Sequence, residues 1–374
     1  MSAQALCIGG LKRSMRRSAL SARASSRREC VGGDGQPSDL GENVLDTPSF
    51  LLHTYFMESV KPKTLMEAIK HYADADNALS EMADSRWSKG VTCQHCGAEK
   101  PMFLKTRRIW KCSKCRKQFS IKTKSVFEDS PIPLDKWLTA VWMVANCKNG
   151  ISSYEIAKAV GVTQKSAWFM LHRIRLAMQD EATGGKLSGE VEVDETFIGG
   201  KARNMHADVK ARKIQGRRGP EGKAIVAAVL ERGGKVRATV VERRRKTQLQ
   251  SLVRENVEQG SELYSDALKS YDGLSEEYKH QVVDHAIEYV RENVHTNGME
   301  NFWSLLKRGI NGTYISVEPY HLFRYVDEQA FRFNNRKDTD DYGRFKMVLT
   351  QLAGKRLTYE SLIGTGKEAE TEAC

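Results

Sequence analysis

The chain has 374 residues, with 59 Lys and Arg against 47 Asp and Glu, a formal net charge of +12 and a sequence pI of about 9.2. This length predicts two or three domains, and the clustered positive charge favours a polyanionic partner over a merely solvated surface. No apolar run approaches the roughly 18 residues that cross a bilayer, and eight cysteines in so long a chain are no disulfide framework, so we expect a cytoplasmic protein with no membrane partner.

The first 88 residues are predicted to be a basic leader followed by short helices. Residues 1–28 contain seven Lys and Arg and no acid, a composition typical of a mitochondrial transit peptide. The alternatives are a disordered basic arm, or non-native sequence added by an upstream start codon. We assign residues 1–45 to this leader and residues 46–88 to helices, because apolar positions such as Leu65 and Ile69 have helical spacing.

Residues 89–122 carry two Cys-x-x-Cys motifs that are separated by fifteen residues. Two such knuckles on facing hairpins complete a tetrahedral site for one structural Zn²⁺. A redox pair would instead need a single motif beside a βαβ unit. The predicted zinc ligands are Cys93, Cys96, Cys112 and Cys115. Interleaved Lys and Arg make this ribbon basic, so we expect it to contact phosphates.

Residues 131–182 have the pattern of a helix-turn-helix DNA-binding segment. Gly161 is placed to make the turn, and Thr163 to cap the second helix. That second helix would enter a major groove, with Gln164, Lys165 and Arg173 as candidate DNA contacts. The alternative is a helical hairpin that only packs the ribbon against the next domain.

From residue 186 to residue 340 the pattern changes to strands and helices. Residues 190–197 alternate polar and apolar side chains, 223–231 form a buried apolar run, and 235–242 follow a Gly-Gly turn. A helix, a short strand at 263–265 and a last strand at 281–284 come next. This order predicts an α/β fold with a ribonuclease-H-like mixed sheet and flanking helices. We assign residues 341–374 to a C-terminal tail.

Three acidic residues and a lysine are the predicted catalytic group: Asp194, Asp266, Glu300 and Lys307. Asp194 lies in the alternating run at 190–197, and Asp266 follows a short apolar stretch. Glu300 and Lys307 lie about two turns apart on one predicted helix, so they share a face. Carboxylate oxygens suit Mg²⁺ or Mn²⁺, and two such ions about 3.5–4 Å apart can clamp an in-line phosphoryl displacement. The lysine could then touch a substrate phosphate. This group predicts an enzyme that cuts and joins DNA.

Other charged residues near the sheet receive separate interpretations. Strand alternation puts Glu195 opposite Asp194, so we expect it to be solvated or locally paired, while Glu192 lies one pleat too far back to bind the same metal. Trp303 is expected to pack in the core. Two basic runs, at 201–218 and at Arg243, Arg244 and Arg245, are interpreted as the walls of a DNA channel.

The chain resembles bacterial insertion-sequence transposases of the DDE class that carry an N-terminal zinc ribbon. The resemblance covers about residues 47–336 and depends on the cysteine knuckles, on Val193-Asp-Glu-Thr196, on Tyr264-Ser-Asp266 and on the run from His295 to Arg308. The 33 residues between Asp266 and Glu300 match the spacing of the class. Some related families place Asn at the third acidic position, so Asn297 and Asn301 are alternatives to Glu300.

The resemblance implies metal-dependent cleavage and strand transfer at the ends of a mobile element. It implies double-stranded DNA as partner, a homo-oligomer on that DNA, and a bacterial protein associated with the nucleoid, in which the basic leader is not a transit peptide. Two alternatives remain. One is a non-catalytic DNA-binding protein derived from a transposase, and the other is a ribonuclease-H-type nuclease without strand transfer.

Overall fold

The computed structural model describes residues 61–179, 185–200, 204–214, 222–266, 268–283 and 296–364. The predicted basic leader and parts of the basic run at 201–218 lie outside these ranges.

The described residues form helices whose first turns are often capped by side chains. Ser152 and Glu155 form a reciprocal capping box, and Thr64, Asp74 and Asp340 accept from main-chain amides of the next turn. The helices are α1 (Leu65–Tyr72), α2 (Ala75–Arg86), α3 (Leu134–Asn146), α4 (Ser153–Val160), α5 (Gln164–Met178), α6 (Ala207–Ile214), α7 (Lys246–Asn256), α8 (Asn297–Arg308), α9 (Leu322–Asn334), α10 (Asp341–Thr350) and α11 (Tyr359–Leu362).

The strands form two sheets. A small antiparallel sheet has the order β1-β2-β3, and a larger sheet has the order β6-β5-β4-β7-β8. The strands are β1 (Met102–Leu104), β2 (Ile109–Lys111), β3 (Gln118–Phe119), β4 (Glu190–Ile198), β5 (Ala224–Glu231), β6 (Val236–Val241), β7 (Glu262–Asp266) and β8 (Lys279–Val283).

The small sheet shares one core with the N-terminal helices. Trp110 of β2 stacks on Phe119 of β3 and meets the edge of Trp87, which follows α2. These rings belong to the same hydrophobic core as the buried side chains of α3 and α5, so the ribbon is not a separate folding unit. Burial of several aromatic side chains compensates for the short strands of the ribbon.

Helices α4 and α5 form the predicted helix-turn-helix. Gly161 ends α4 at φ 62°, a left-handed conformation that glycine adopts without a Cβ clash. The Thr163 hydroxyl accepts from the amide of Ser166 and caps α5. Both predicted roles are confirmed. Helix α5 then continues into the core, where all residues from Met170 to Arg175 are buried, so that the helix is covered on every side there.

The prediction of a C-terminal tail is wrong for the residues that the structure describes there. Helix α10 inserts Phe345 between Tyr72 of α1 and Trp142 of α3, with ring centroids 5.5 and 5.2 Å apart. Beyond α10, the amide of Val126 donates to the carbonyl of Leu352. The last part of the chain therefore completes the N-terminal core, because that core exposes an apolar face that its own helices do not cover.

The larger sheet confirms the predicted mixed α/β fold. Strands β6, β5 and β4 pair antiparallel, whereas β4–β7 and β7–β8 pair parallel. One face packs against α8 and α9, and the other packs against α7. Strand alternation separates these faces, since Val191 and Val193 contact the α7 side and Ile198 the α8 side.

No helix within the described ranges is both long and apolar enough to span a membrane.

We predict that Phe345→Ala destabilises the N-terminal helical core. Phe345 is fully buried, and truncation of such a side chain leaves a cavity that costs about 3–5 kcal/mol. Urea unfolding followed by tryptophan fluorescence measures the loss. Met347→Ala, on the exposed side of the same helix, is the matched control and should change the free energy of unfolding little. Equal effects of the two variants would contradict the assignment of α10 to this core.

Candidate functional site

The four cysteines of the ribbon form one compact thiol cluster. Their sulfur atoms all lie within 4.8 Å of one another, with Sγ–Sγ distances of 3.7 Å for Cys93–Cys115 and 3.6 Å for Cys96–Cys112. A tetrahedral Zn²⁺ with Zn–S bonds of about 2.3 Å requires sulfur–sulfur edges of about 3.8 Å. The cluster therefore fits a closed structural zinc site.

The main chain around the cluster favours thiolates. The amide of Cys115 points at the Cys112 sulfur over 3.5 Å, and this hydrogen bond is the main cause that lowers the pKa of Cys112 to about 7. A lowered thiol pKa is what a metal ligand needs, since the thiolate is the species that binds.

Asp194 and Asp266 lie on neighbouring strands in the middle of the larger sheet. Strands β4 and β7 pair in parallel through Val193 and Ser265, so the two aspartates occupy the next position along each strand. The alternation of side chains puts both on the face that packs against α8. The predicted convergence of these two carboxylates is thus supported by the register of the sheet.

Helix α8 is fixed to this face by two hydrogen bonds to carboxylates of β4. The indole Nε1 of Trp303 donates to Asp194 Oδ2 over 2.8 Å, and the amide of Met299 donates to Glu192 Oε2 over 2.8 Å. Trp303 is buried, as predicted, and it also holds a candidate metal ligand. The helix therefore contacts the same strand at both its first and second turns.

Glu192 and Gly298 determine how closely α8 approaches the sheet. Glu192 is buried and pairs with Arg232 over 3.0 Å, so its carboxylate is fixed. A Cβ at Gly298 would lie 2.6 Å from Leu230 Cδ2 and 2.8 Å from Glu192 Oε2. Because both neighbours are buried, a larger residue at 298 would push the helix away.

Glu300 and Lys307 project from the exposed side of α8. Glu300 is three residues before Trp303 and Lys307 is four residues after it, so both are next to Trp303 on the helix surface. In the described part of the chain, only the cysteine cluster brings three or more metal-binding side chains within 4.8 Å of one another. Among the described residues, the carboxylates of Asp194, Asp266 and Glu300 do not form a comparably tight group.

Asp194 is unusually basic for an aspartate. Burial is the main cause that raises its pKa from 3.8 to about 6, and the charges of Glu195 and Asp266 add to the effect. Hydrogen bonds from Trp303 and from the Glu195 amide oppose it. Neighbouring carboxylates that repel each other form a site where a divalent cation would be bound favourably.

Glu195 lies on the face of β4 opposite Asp194 and is paired, which is one of the two expected outcomes. It accepts from the Tyr271 hydroxyl over 2.9 Å and pairs with Arg244 over 3.4 Å. Arg244 also lies over the ring of Phe197, and Arg243 and Arg245 beside it are exposed. The basic run thus follows β6 on the side of the sheet away from α8.

The candidate DNA contacts of α5 fall into two groups. Gln164 and Lys165 are exposed on its first turn. Arg173 is buried, and it donates to the carbonyls of Leu357 over 3.1 Å and of Glu128 over 2.8 Å. The expectation that Arg173 contacts DNA is therefore corrected: its guanidinium joins α5 to the C-terminal segment, which the sequence had suggested was a tail.

Trp303, Glu192 and Gly298 have roles that sequence reasoning missed. The position of Trp303 between Glu300 and Lys307 on one helical face was a usable signal. The partnership of Glu192 with the start of α8 was not detectable, because 107 residues separate its carboxylate from the Met299 amide.

Two domains of the chain match known protein families. Residues 186–334 match the ISXO2-like transposase domain, and residues 74–118 match the transposase zinc-ribbon domain. An uncharacterised protein in transposable element ISH50 of Halobacterium salinarum is 28% identical over 258 residues, which cover 66% of this chain and 86% of the relative. An uncharacterised transposase-like protein of Haemophilus influenzae is 31% identical over 102 residues, 27% of this chain and 82% of that protein.

A mixed sheet of ribonuclease-H-like type, joined to a zinc ribbon, defines the class of insertion-element transposases. The chain belongs to this family, in the group with an ISXO2-like transposase domain.

We predict that the purified chain holds one Zn²⁺ and that Cys112→Ser removes it. Loss of one of four ligands opens the tetrahedral site, and the short strands then lose the constraint that holds Trp110. Elemental analysis measures the metal, and tryptophan fluorescence reports the ribbon. Cys147→Ser is the control, because Cys147 lies at the end of α3 outside the cluster. Zinc-free parent protein would contradict this prediction.

We also predict a pH-dependent difference in stability between the parent chain and Asp194→Asn. The folded-state pKa of Asp194 is raised, so its contribution to stability is present below about pH 3.8 and is lost as the pH rises through about 6. The asparagine variant lacks this loss. Between pH 5 and pH 8 it should gain about 1–1.5 kcal/mol relative to the parent, because only about one unit of the pKa shift lies above pH 5.

Denaturant unfolding at these two pH values, with the zinc retained and no Mg²⁺ or Mn²⁺ added, measures this difference. Trp303→Phe provides a second reading, because the indole hydrogen bond lowers the pKa of Asp194. Loss of this hydrogen bond should raise the pKa of Asp194, so the pH range in which the parent loses stability should shift upward. A difference between parent and Asp194→Asn that stays constant with pH would contradict the prediction.

Proposed function

We propose that the chain catalyses metal-dependent cleavage and strand transfer at the ends of an insertion sequence. In this proposal Asp194, Asp266 and Glu300 hold two Mg²⁺ or Mn²⁺ ions, and Lys307 contacts a phosphate beside the scissile bond. The observation that carries the proposal is the double role of Asp194. It is a carboxylate beside Asp266 in the sheet, and it also fixes the helix that bears Glu300 and Lys307.

The ligand chemistry fits hard divalent cations. Two aspartates share one face of adjacent strands, and the repulsion between them contributes to the raised pKa of Asp194. When bound, the ions would activate water or a 3′-hydroxyl and stabilise the leaving oxygen. The protein's own contribution is orientation: Trp303 fixes one oxygen of Asp194, and the Glu195 amide fixes the other.

The exposed basic side chains support a path for DNA. Gln164 and Lys165, at the start of α5, would contact the major groove of DNA, and the exposed lysines and arginines of the ribbon would contact the DNA phosphates. Arg243, Arg244 and Arg245 would contact a flanking segment. We propose double-stranded element ends and target DNA as the substrates, with two or more copies of the chain assembled on them.

The test is nicking of a plasmid that carries the element's terminal repeats. Asp194→Asn, Asp266→Asn and Glu300→Gln should each abolish Mg²⁺-dependent cleavage while leaving binding to the ends largely intact, because each removes a ligand but no basic surface. Glu318→Gln is the control, an exposed carboxylate outside the group. Gel analysis of nicked and joined products, with band-shift titration of the same variants, measures both properties.

The outcomes separate the alternatives. Normal cleavage by Glu300→Gln together with loss in Asn297→Ala or Asn301→Ala would assign the third ligand to an asparagine. End binding without any cleavage by the parent chain would favour the non-catalytic DNA-binding protein. Cleavage without joined products would favour the nuclease.

A further inference from the structure

A strained turn follows helix α8. The helix continues through a π-helical turn (Gly309–Tyr314) to Ile315, which has φ 62° and ψ −56°. The Ser316 amide donates to the Tyr314 carbonyl over 2.6 Å, so Ile315 is the central residue of a γ-turn of the rare, positive-φ type. A β-branched residue is strained in this region because its Cβ crowds the backbone.

The strained side chain is also exposed. Ile315 is 79% exposed, the highest value for any large apolar residue in the described ranges. It therefore contributes almost nothing to the core, while its backbone conformation would be easier for glycine. A residue with a strained backbone and an exposed apolar side chain is a candidate for a functional contact, since backbone strain concentrates at ligand-binding sites.

The residues before Ile315 hold the turn rigidly. The Tyr314 hydroxyl donates to buried Glu328, and the Thr313 hydroxyl donates to the carbonyl of Asn149 over 2.9 Å. A Cβ on Gly150 would lie 2.0 Å from the Tyr314 hydroxyl oxygen, so the tyrosine is closely enclosed. Strain of this kind persists only where the surroundings determine the backbone. Ile315 is thus presented on a firm support.

A shallow basic cavity lies directly before the turn. It has a volume of about 470 Å³ and is lined by Ser304, Lys307, Arg308, Asn311 and Gly312. Lys307 and Arg308 are exposed and suited to neighbouring phosphates. From Glu300 to Arg308 the helix rises about 12 Å, roughly three to four base steps of a duplex. The apolar tip and the basic cavity thus follow the proposed metal ligand along one element.

We propose that Ile315 is a wedge that inserts between base pairs of DNA whose backbone lies on Lys307 and Arg308. Insertion of an apolar side chain unstacks one step and kinks the duplex. Distortion within a few base pairs of the scissile phosphate would let the strand bend into the active site. This inference rests on the proposed function. A DNA partner is favoured over a protein surface because the exposed side chains of the cavity before the turn, Lys307, Arg308 and Asn311, are basic or polar.

The test places 2-aminopurine at successive positions around the cleavage site of terminal-repeat DNA. Bound parent chain and Ile315→Leu should raise its fluorescence several-fold at one or two adjacent positions, because the base loses its stacking partner. Ile315→Gly should abolish that rise while end affinity falls only a few-fold, since Lys307 and Arg308 remain. Met66→Ala is the matched control, an exposed apolar residue on α1, and should behave as the parent does.

Stability separates a wedge from a structural role. Ile315→Gly relieves the positive φ, so its melting temperature without DNA should rise even as the fluorescence signal is lost. A fall in melting temperature accompanied by loss of DNA binding would assign Ile315 to folding and overturn the proposal. Unchanged fluorescence with Ile315→Gly would also overturn it. So would loss of self-association in DNA-free sedimentation, which would assign the residue to an interface between copies.

The fluorescence assay needs binding and no cleavage, so it is run without added Mg²⁺ or Mn²⁺, and cleavage is measured separately in the plasmid assay with the metal ion present. If the parent chain distorts the DNA but never cleaves it, the proposed catalysis fails and the wedge stands. If the parent cleaves without a local fluorescence rise, the wedge fails and the catalysis stands. A parent chain that binds no terminal-repeat DNA overturns both.

Discussion

A buried carboxylate, Glu328 of α9, joins the two halves of the described chain. It accepts from Arg175 of α5 over 2.6 Å, from Arg332 and from Tyr314 in the turn after α8. Burial raises the pKa of Glu328, but the charges of Arg332 and Arg175 outweigh it and lower the pKa well below the usual range. Loss of Glu328 itself would leave the buried guanidinium groups of Arg175 and Arg332 without their counter-charge, and breaking a buried ion pair in this way typically costs about 3–5 kcal/mol.

This junction links α8, which bears Glu300 and Lys307, to α5. At its start, α8 is bound to β4 through Glu192 and Asp194. At its end, the turn is bound through Tyr314 to Glu328, and through Glu328 to Arg175 of the second helix of the helix-turn-helix. Because every connection is a charged or well-aligned hydrogen bond, the orientation of α5 and the position of Glu300 are determined together.

Much of the candidate site was predictable from residue type and spacing. The four cysteines specify a metal through ligand chemistry alone, and their sulfurs lie at tetrahedral distances. Asp194 and Asp266 were detectable as acidic residues within or directly after apolar strand patterns, although Asp194 lies in the middle of β4 and not at its end. Arg173 was assigned wrongly, because helical periodicity locates a side chain on a face but does not reveal that a distant segment covers that face.

The sequence by itself determined the local features: the caps of α4 and α5, the thiol cluster, the order of strands and helices along the chain, and the family. Each depends on residues close together in the chain or on a short spacing rule. Only the tertiary structure decided that α10 completes the N-terminal core, that Glu192 fixes the start of α8, and that Ile315 is held in a strained turn. These contacts join residues far apart in the chain, and no local pattern encodes which distant surface will be complementary.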